Sequence, residues 1–145
     1  MKRTILVAGA LAAGMTAVMA QATQVIEQRQ NLMKQNNAAT RTMAGMLRGQ
    51  APFDLNQVQS ALRTYEQVGQ QFHTLFPEDS KSGNNTRALP AIWQNKADFT
   101  AQSMKLAQDA RAAGAAIRDE ATFKAEMPKV LENCNACHNK YRAQT

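Results

Sequence analysis

Apolar residues recur at intervals of three and four positions along most of the chain, with polar residues between them. This period is typical of amphipathic α-helices that bury one face, and no stretch shows the alternation of a half-buried strand. Turn-forming residues separate four such stretches. The pattern therefore predicts an all-α protein whose helices pack as an antiparallel four-helix bundle.

The first two predicted helices are separated by the turn at 49–52. The first helix extends from about residue 24 to 48, and the second begins with Asp54 as N-cap and Gln57 in a capping-box relation, and ends near Phe72. The apolar stripe of the first helix consists of Val25, Ile26, Leu32, Met33, Ala39, Met43, Met46 and Leu47.

One long polar loop, residues 77–86, leads to two further predicted helices. Pro90 suits the first turn of a third helix, which should reach Ala113 or beyond. Asp119 should cap a fourth helix. Pro128 lies inside that helix and should kink or split it, because proline lacks an N–H and clashes with the preceding turn.

The N-terminus has the pattern of a secretory signal peptide. Lys2 and Arg3 precede an uncharged run that ends at Met19 and is followed by small residues. We expect residues 1–22 to be the signal, with cleavage after residue 20 as an alternative, and residues 23–145 to form one domain. A membrane anchor fits less well because the run is short and rich in alanine and glycine. The mature chain should therefore not insert stably into a membrane.

The distribution of charge along the chain argues against a nucleic-acid partner. Lys and Arg number 17 against 11 Asp and Glu, giving a formal charge of +6, and removal of the signal leaves 15 against 11, a charge of +4. No basic cluster is interleaved with aromatic residues, so we expect no nucleic-acid partner.

The candidate chemistry lies near the C-terminus, where Cys134, Cys137 and His138 form the spacing C-x-x-C-H. In c-type haem attachment, two such thiols add to the porphyrin vinyl groups and the imidazole binds the iron. Residues three apart on a helix share a face, so both thiols can reach one edge of a flat macrocycle. The motif predicts one covalent haem c, held by two thioether bonds, and export agrees with it because these bonds form outside the bacterial cytoplasm.

Other uses of these cysteines fit less well. A structural zinc site needs four ligands, and the one other histidine, His73, has no cysteine near it. A thioredoxin-like dithiol would follow a strand, and no strand pattern precedes the motif. Both cysteines belong to the motif, so no disulfide is available.

The motifs together resemble class II cytochromes c, the cytochrome c′ family, over nearly the whole mature chain. The C-terminal position of the haem motif is one mark. The others are the segments 29–33, 49–54, 89–93 and 141–142. The resemblance implies a bundle that encloses one covalent haem.

The resemblance also implies roles for three further residues. Met33 occupies the position that points at the distal face of the haem, and its sequence context looks like that of the low-spin cytochrome c-556 type, in which methionine is the sixth iron ligand. Arg29 would lie near a haem propionate and Arg142 near the proximal histidine. Alternatively, Met33 is a core residue like Met43 and Met46, and both arginines are solvated. Arg87 is not assigned to the site.

Two function classes follow. The first is a periplasmic electron carrier that exchanges single electrons with redox partner proteins, with His138 and Met33 as axial ligands. The alternative is a five-coordinate, high-spin protein that binds NO or CO at an open distal position. We expect no enzyme activity, because no acid–base or nucleophile set accompanies the motif and the first helix should offer mainly apolar distal side chains. The resemblance also allows a homodimer formed through the first two helices.

Overall fold

The computed structural model describes residues 8–144 of the chain, and the side chains of residues 20–144. Five helices occur in this range: α1 (Ala8–Leu47), α2 (Leu55–Phe72), α3 (Ala91–Gln94), α4 (Lys96–Ala116) and α5 (Glu120–Tyr141). A short 3-10 turn, Glu78–Ser80, lies in the loop after α2. The described residues form no strand apart from one isolated bridge between Ala88 and Arg142.

The long helices α1, α2, α4 and α5 form a four-helix bundle, as the periodicity predicts. Helix α2 packs against both α1 and α4, and α4 packs against α5. Each of these helices buries one apolar stripe, since removing apolar surface from water is the main force that holds such a bundle together. The fully enclosed side chains shared by the helices are Met43, Val58, Tyr65, Ile117, Phe123 and Met127.

Helices α2 and α4 approach each other closely at Gly69. A Cβ atom at this position would lie 2.7 Å from the backbone nitrogen of Ala107 and 2.7 Å from the carbonyl oxygen of Ser103. The Ser103 hydroxyl donates a hydrogen bond of 2.7 Å to the Gly69 carbonyl. A side chain at residue 69 would therefore force the two helices apart.

Both predicted N-caps are present. The Asp54 carboxylate accepts a hydrogen bond of 3.1 Å from the backbone N–H of Gln57, and Asp119 accepts one of 2.8 Å from that of Thr122. The Thr122 hydroxyl accepts in turn from the Asp119 N–H, which completes a capping box at the start of α5. Gln57 instead donates its side-chain amide to the Asp54 carboxylate, so the reciprocal half of the predicted box is not formed there.

Two predicted helix boundaries were wrong. The third predicted helix is interrupted at Asn95, whose φ of −127° and ψ of 49° separate α3 from α4. Helix α5 continues unbroken through Pro128, so of the predicted kink or split the split does not occur. Met127 and Val130 on either side of the proline are buried in the bundle, and this packing offsets the lost hydrogen bond.

Part of the predicted signal peptide, residues 1–7, lies outside the described residues. Its remainder forms the start of α1, which begins at Ala8 rather than near residue 24. Among the residues described, no helix combines the length and apolar character that crossing a membrane requires.

Candidate functional site

The last turns of α5 place Cys134, Cys137 and His138 along a cavity of about 670 Å³. All three side chains are half-buried. This volume lies within the range of about 300–1,000 Å³ that is typical of pockets for small molecules and cofactors. The two thiols and the imidazole are therefore available to one bound group.

Helix α1 forms a facing wall of the cavity. Arg29, Met33, Asn36 and Thr40 all line it, and their spacing of four, three and four residues places them on one face of the helix. Met33 is half-buried. By contrast, Met43 is fully enclosed among the bundle helices and does not line the cavity. The structure thus brings the thioether of residue 33, rather than a core methionine, to the same space as the imidazole of His138.

Arg29 is buried, with 4% of its surface exposed, yet only part of its hydrogen-bonding capacity is used. Its Nη2 atom donates to the Ser80 carbonyl at 2.8 Å, and its guanidinium carbon lies 4.4 Å from the Phe76 ring centroid. Its Nε and Nη1 atoms have no partner. Burial lowers the pKa of Arg29 to about 10. A cation that lines a cavity with two unpartnered guanidinium nitrogens suits a carboxylate ligand.

The C-terminal residues pair with the segment before α3, and this pairing places two more cations at the cavity. Leu89 N–H donates to the Tyr141 carbonyl at 3.0 Å, and Ala143 N–H donates to the Arg87 carbonyl at 2.9 Å. Arg142 and Arg87 both line the cavity, and the Arg142 Nε atom is buried without a partner. Arg87 therefore belongs to the site, although the sequence analysis left it out.

The electrostatics of the motif follow from its burial. Burial lowers the pKa of His138, and the nearby charges of Arg142 and Arg87 lower it further. Burial also raises the pKa of Cys134, and raises that of Cys137 to about 11. The imidazole is thus neutral near pH 7, as a metal ligand must be. Both thiols are protonated, which distinguishes them from the low-pKa thiolates of dithiol redox enzymes.

A second network anchors α5 beside the motif. The Tyr141 hydroxyl donates to Asp98 Oδ2 on α4, and Lys140 donates to the same oxygen at 2.7 Å. Gln102 adds a third hydrogen bond of 3.0 Å to this carboxylate. These bonds fix the end of α5 against α4, so the position of His138 is set by more than its own helix.

The structure brings together all six residues singled out in the sequence: Arg29, Met33, Cys134, Cys137, His138 and Arg142. His73, at the end of α2, does not line the cavity. Within the described residues, no group of three or more His, Cys, Asp or Glu side chains is placed to hold a metal ion.

The cavity wall is more polar than the apolar stripe of the first helix predicts. Asn36 and Gln102 both line the cavity, and each has a buried side-chain oxygen without a partner. The first helix is therefore less apolar at the site than expected. The position of Asn36 at the cavity could have been predicted from the sequence, because Asn36 lies three residues after Met33 and must share its helix face.

These features fit a covalently bound haem. Two thiols lie on one helix, an imidazole and a thioether come from facing helices, and Arg29 and Arg142 offer unused N–H groups suited to carboxylates. In c-type haem proteins, cysteine thiols form covalent bonds to the porphyrin, and imidazole and thioether side chains bind the iron.

Comparisons with known proteins agree. A family model described as Cytochrome C' matches residues 24–142. A protein named cytochrome c' from Rhodopseudomonas palustris is 43% identical over 142 residues, covering 98% of this chain and 97% of that protein. A cytochrome c-556 from the same organism is 31% identical over 146 residues, with 98% and 97% covered. The solved structure of cytochrome c' from Rhodopseudomonas palustris has a TM-score of 0.82 at 45% identity, covering 83% of this chain and 97% of that one.

Proposed function

The chain belongs to the cytochrome c′ family and carries one covalent c-type haem, and we propose that it uses this haem to carry single electrons in the periplasm of a Gram-negative bacterium. In this proposal Cys134 and Cys137 form the thioether bonds. His138 and Met33 would hold the iron. When bound, the haem supplies a ferric–ferrous couple that accepts and releases one electron.

The observation that carries the proposal is the position of Met33. It lies on α1 and lines the same cavity as His138 on α5, whereas Met43 is enclosed in the core. A thioether is a soft ligand that favours ferrous iron and raises the reduction potential. A methionine that closes the sixth position also leaves little room for exogenous ligands, which suits electron transfer better than gas binding.

Arg29 and Arg142 complete the site in this proposal. The unpartnered N–H groups of Arg29 would bind one haem propionate, and the Ser80 carbonyl holds the guanidinium in place. The unpartnered Nε of Arg142 is suited to a second carboxylate beside His138. The Arg29 side chain is already positioned by the protein, so it needs little ordering when the haem is bound.

Binding of NO or CO is the second candidate function. Two observations favour it: the relative that is 43% identical is named cytochrome c', and the cavity wall contains the unpartnered polar groups of Asn36 and Gln102. Such groups can stabilise a polar ligand on iron. In this case Met33 packs beside the haem without binding the iron.

The remaining features of the proposal follow from the sequence. Residues 1–22 would direct export and be removed, leaving residues 23–145 as the mature domain without stable membrane insertion. We propose that the partners of this protein are redox proteins with which it exchanges electrons. No enzyme activity is proposed, since carrying electrons does not require the conversion of a substrate. A homodimer formed through α1 and α2 stays a prediction.

Two matched substitutions test the ligand assignment. Met33→Leu and Met43→Leu each replace a thioether with an apolar side chain of similar volume. We expect Met33→Leu to give a high-spin spectrum that responds to CO, and Met43→Leu to keep the wild-type spectrum. If Met33→Leu also kept it, Met33 would not be the ligand, and gas binding would become the leading function only if that shared spectrum were high-spin and responded to CO.

A further inference from the structure

The side chains that line the haem cavity carry charge of only one sign. Arg29, Lys34, Arg87 and Arg142 are among them, and none of the lining residues is Asp or Glu. None of these four cations takes part in the ion pairs of the described residues. Arg29 is buried and Arg142 partly buried, whereas Lys34 and Arg87 are exposed.

The two exposed cations are held by neutral groups that do not cancel their charge. Arg87 donates from Nη2 and Nε to the Ala143 carbonyl at 2.6 and 3.2 Å. Lys34 Nζ lies 3.5 Å from the side-chain oxygen of Asn31. The carboxylate of Asp98, which lies near Cys137, is already paired with Lys140.

These contacts determine which cations stay without a negative partner once the haem is bound. The unused N–H groups of Arg29 and Arg142 account for the two carboxylates of one haem. Lys34 and Arg87 then keep their full positive charge in water at the edge of the cavity. Two uncompensated cations beside the redox centre attract anions and repel cations.

We propose that Lys34 and Arg87 form a basic rim that docks the acidic face of a redox partner protein against the haem edge. This inference rests on the proposed electron-carrier function and adds the charge of the partner to it. Complementary charges across such a contact accelerate encounter and orient the two proteins. A lipid surface fits less well, because recruitment to anionic membranes usually requires clusters of four to eight Lys or Arg.

The first test measures rates with small charged reagents. Holoprotein variants Lys34→Glu and Lys124→Glu change the net charge equally, but Lys124 lies 14 residues before His138 on α5, about 21 Å along the helix. Ferricyanide serves as the anionic oxidant of the reduced protein and tris(1,10-phenanthroline)cobalt(III) as the cationic one.

At about 10 mM ionic strength, where screening is weak, we expect Lys34→Glu to react with ferricyanide at least about threefold more slowly than Lys124→Glu. With the cationic reagent the order should reverse, and at about 1 M salt both differences should vanish. Equal rates for the two variants under all conditions would overturn the proposal.

A second test uses an acidic surface as the docking target. Holoprotein is adsorbed on gold coated with a carboxylate-terminated monolayer, and both adsorbed mass and electroactive coverage are measured. We expect Lys34→Glu and Arg87→Gln to lose a larger share of electroactive coverage than Lys124→Glu at matched adsorbed mass. An equal electroactive fraction in all three variants would contradict a docking role for the rim.

Two controls separate this proposal from its alternatives. Sedimentation with vesicles of anionic phospholipid that depends on Lys34 would assign the rim to a membrane and overturn the protein-docking proposal. Spectra of the same holoprotein samples report whether Met33 binds iron, independently of the rate ratios. A high-spin spectrum together with the expected rate ratios would reject Met33 as an iron ligand and support the basic rim. A low-spin spectrum together with equal rates would support Met33 as a ligand and reject the basic rim.

Discussion

Arg29 donates a hydrogen bond of 2.8 Å to the backbone carbonyl of Ser80, a residue 51 positions later in the sequence. The next residue of α1, Gln30, donates one of 2.8 Å to the carbonyl of Asn84. These two contacts fix the loop 77–86 on α1 beside the haem cavity, since Asn85 and Thr86 also line it. One arginine thus positions a wall of the cavity and has two unpartnered nitrogens, Nε and Nη1, for a group that binds there.

Replacement of Arg29 by methionine should therefore change both the loop and the redox centre. We expect faster limited cleavage by trypsin after Lys81, because the loop loses its anchor. The reduction potential should fall, because removing a cation beside the haem favours the ferric state. Voltammetry and timed proteolysis check the two effects. Arg63→Met, on the exposed side of α2, serves as the control, and equal behaviour of the two variants would contradict the assignment.

Replacement of both Cys134 and Cys137 by alanine should abolish covalent attachment. Each thiol is expected to form one thioether bond, so the double variant can retain haem only through coordination and packing. We expect acid–acetone extraction to remove all haem from the double variant and none from the wild type. Haem that resisted extraction from the double variant would show attachment elsewhere.

A glycine pair tests the packing of α2 on α4. Gly69→Ala places a Cβ atom 2.7 Å from the backbone of α4, and such overpacking typically costs about 1–3 kcal/mol, only partly offset by better helix propensity. At Gly45, no atom lies within 4 Å of the added Cβ, so Gly45→Ala should stabilise α1 by about 0.5–1 kcal/mol. Urea denaturation measures both free energies of unfolding. A Gly69→Ala variant as stable as the wild type would refute the close approach.

The N-cap of α5 predicts one pH effect. Hydrogen bonds from Thr122 to the Asp119 carboxylate lower the pKa of Asp119. The bond from the backbone N–H has the larger effect and the bond from the side chain the smaller one. Because the folded pKa is the lower one, the stabilisation is complete above the unfolded pKa of about 3.9 and is lost as pH falls through the folded pKa. Asp119→Asn keeps a capping acceptor that does not titrate.

The difference in Tm between the wild type and Asp119→Asn should therefore shrink between about pH 6 and about pH 3. Thermal melts across this range provide the measurement. A difference that stayed constant would mean that the charge of Asp119 contributes nothing to the cap.

The helical architecture and the haem motif are readable from the sequence because both depend on local spacing. A period of three and four residues fixes which side of α1 is buried, and the N-cap residues Asp54 and Asp119 mark helix starts through hydrogen bonds made within one turn. The spacing of Cys134, Cys137 and His138 places them together on any helix.

The features that the sequence did not reveal depend on contacts between distant segments. Arg87 reaches the cavity through its hydrogen bonds to Ala143, 56 residues away. Pro128 stays within an unbroken helix because tertiary packing on both sides outweighs its local preference. Periodicity likewise does not separate Met33 from Met43, since both residues lie on the apolar stripe of α1, and only the family resemblance singled out Met33 before the fold placed it at the cavity.

The visible spectrum of the purified, exported protein, oxidised and reduced, with and without CO, tests the central claim most directly. If Met33 and His138 are both axial ligands, the ferric protein will be low-spin, with a long-wavelength thioether-to-iron band, and neither redox state will respond to CO. A high-spin spectrum that shifts when CO is added would contradict this account and show that the distal position is open.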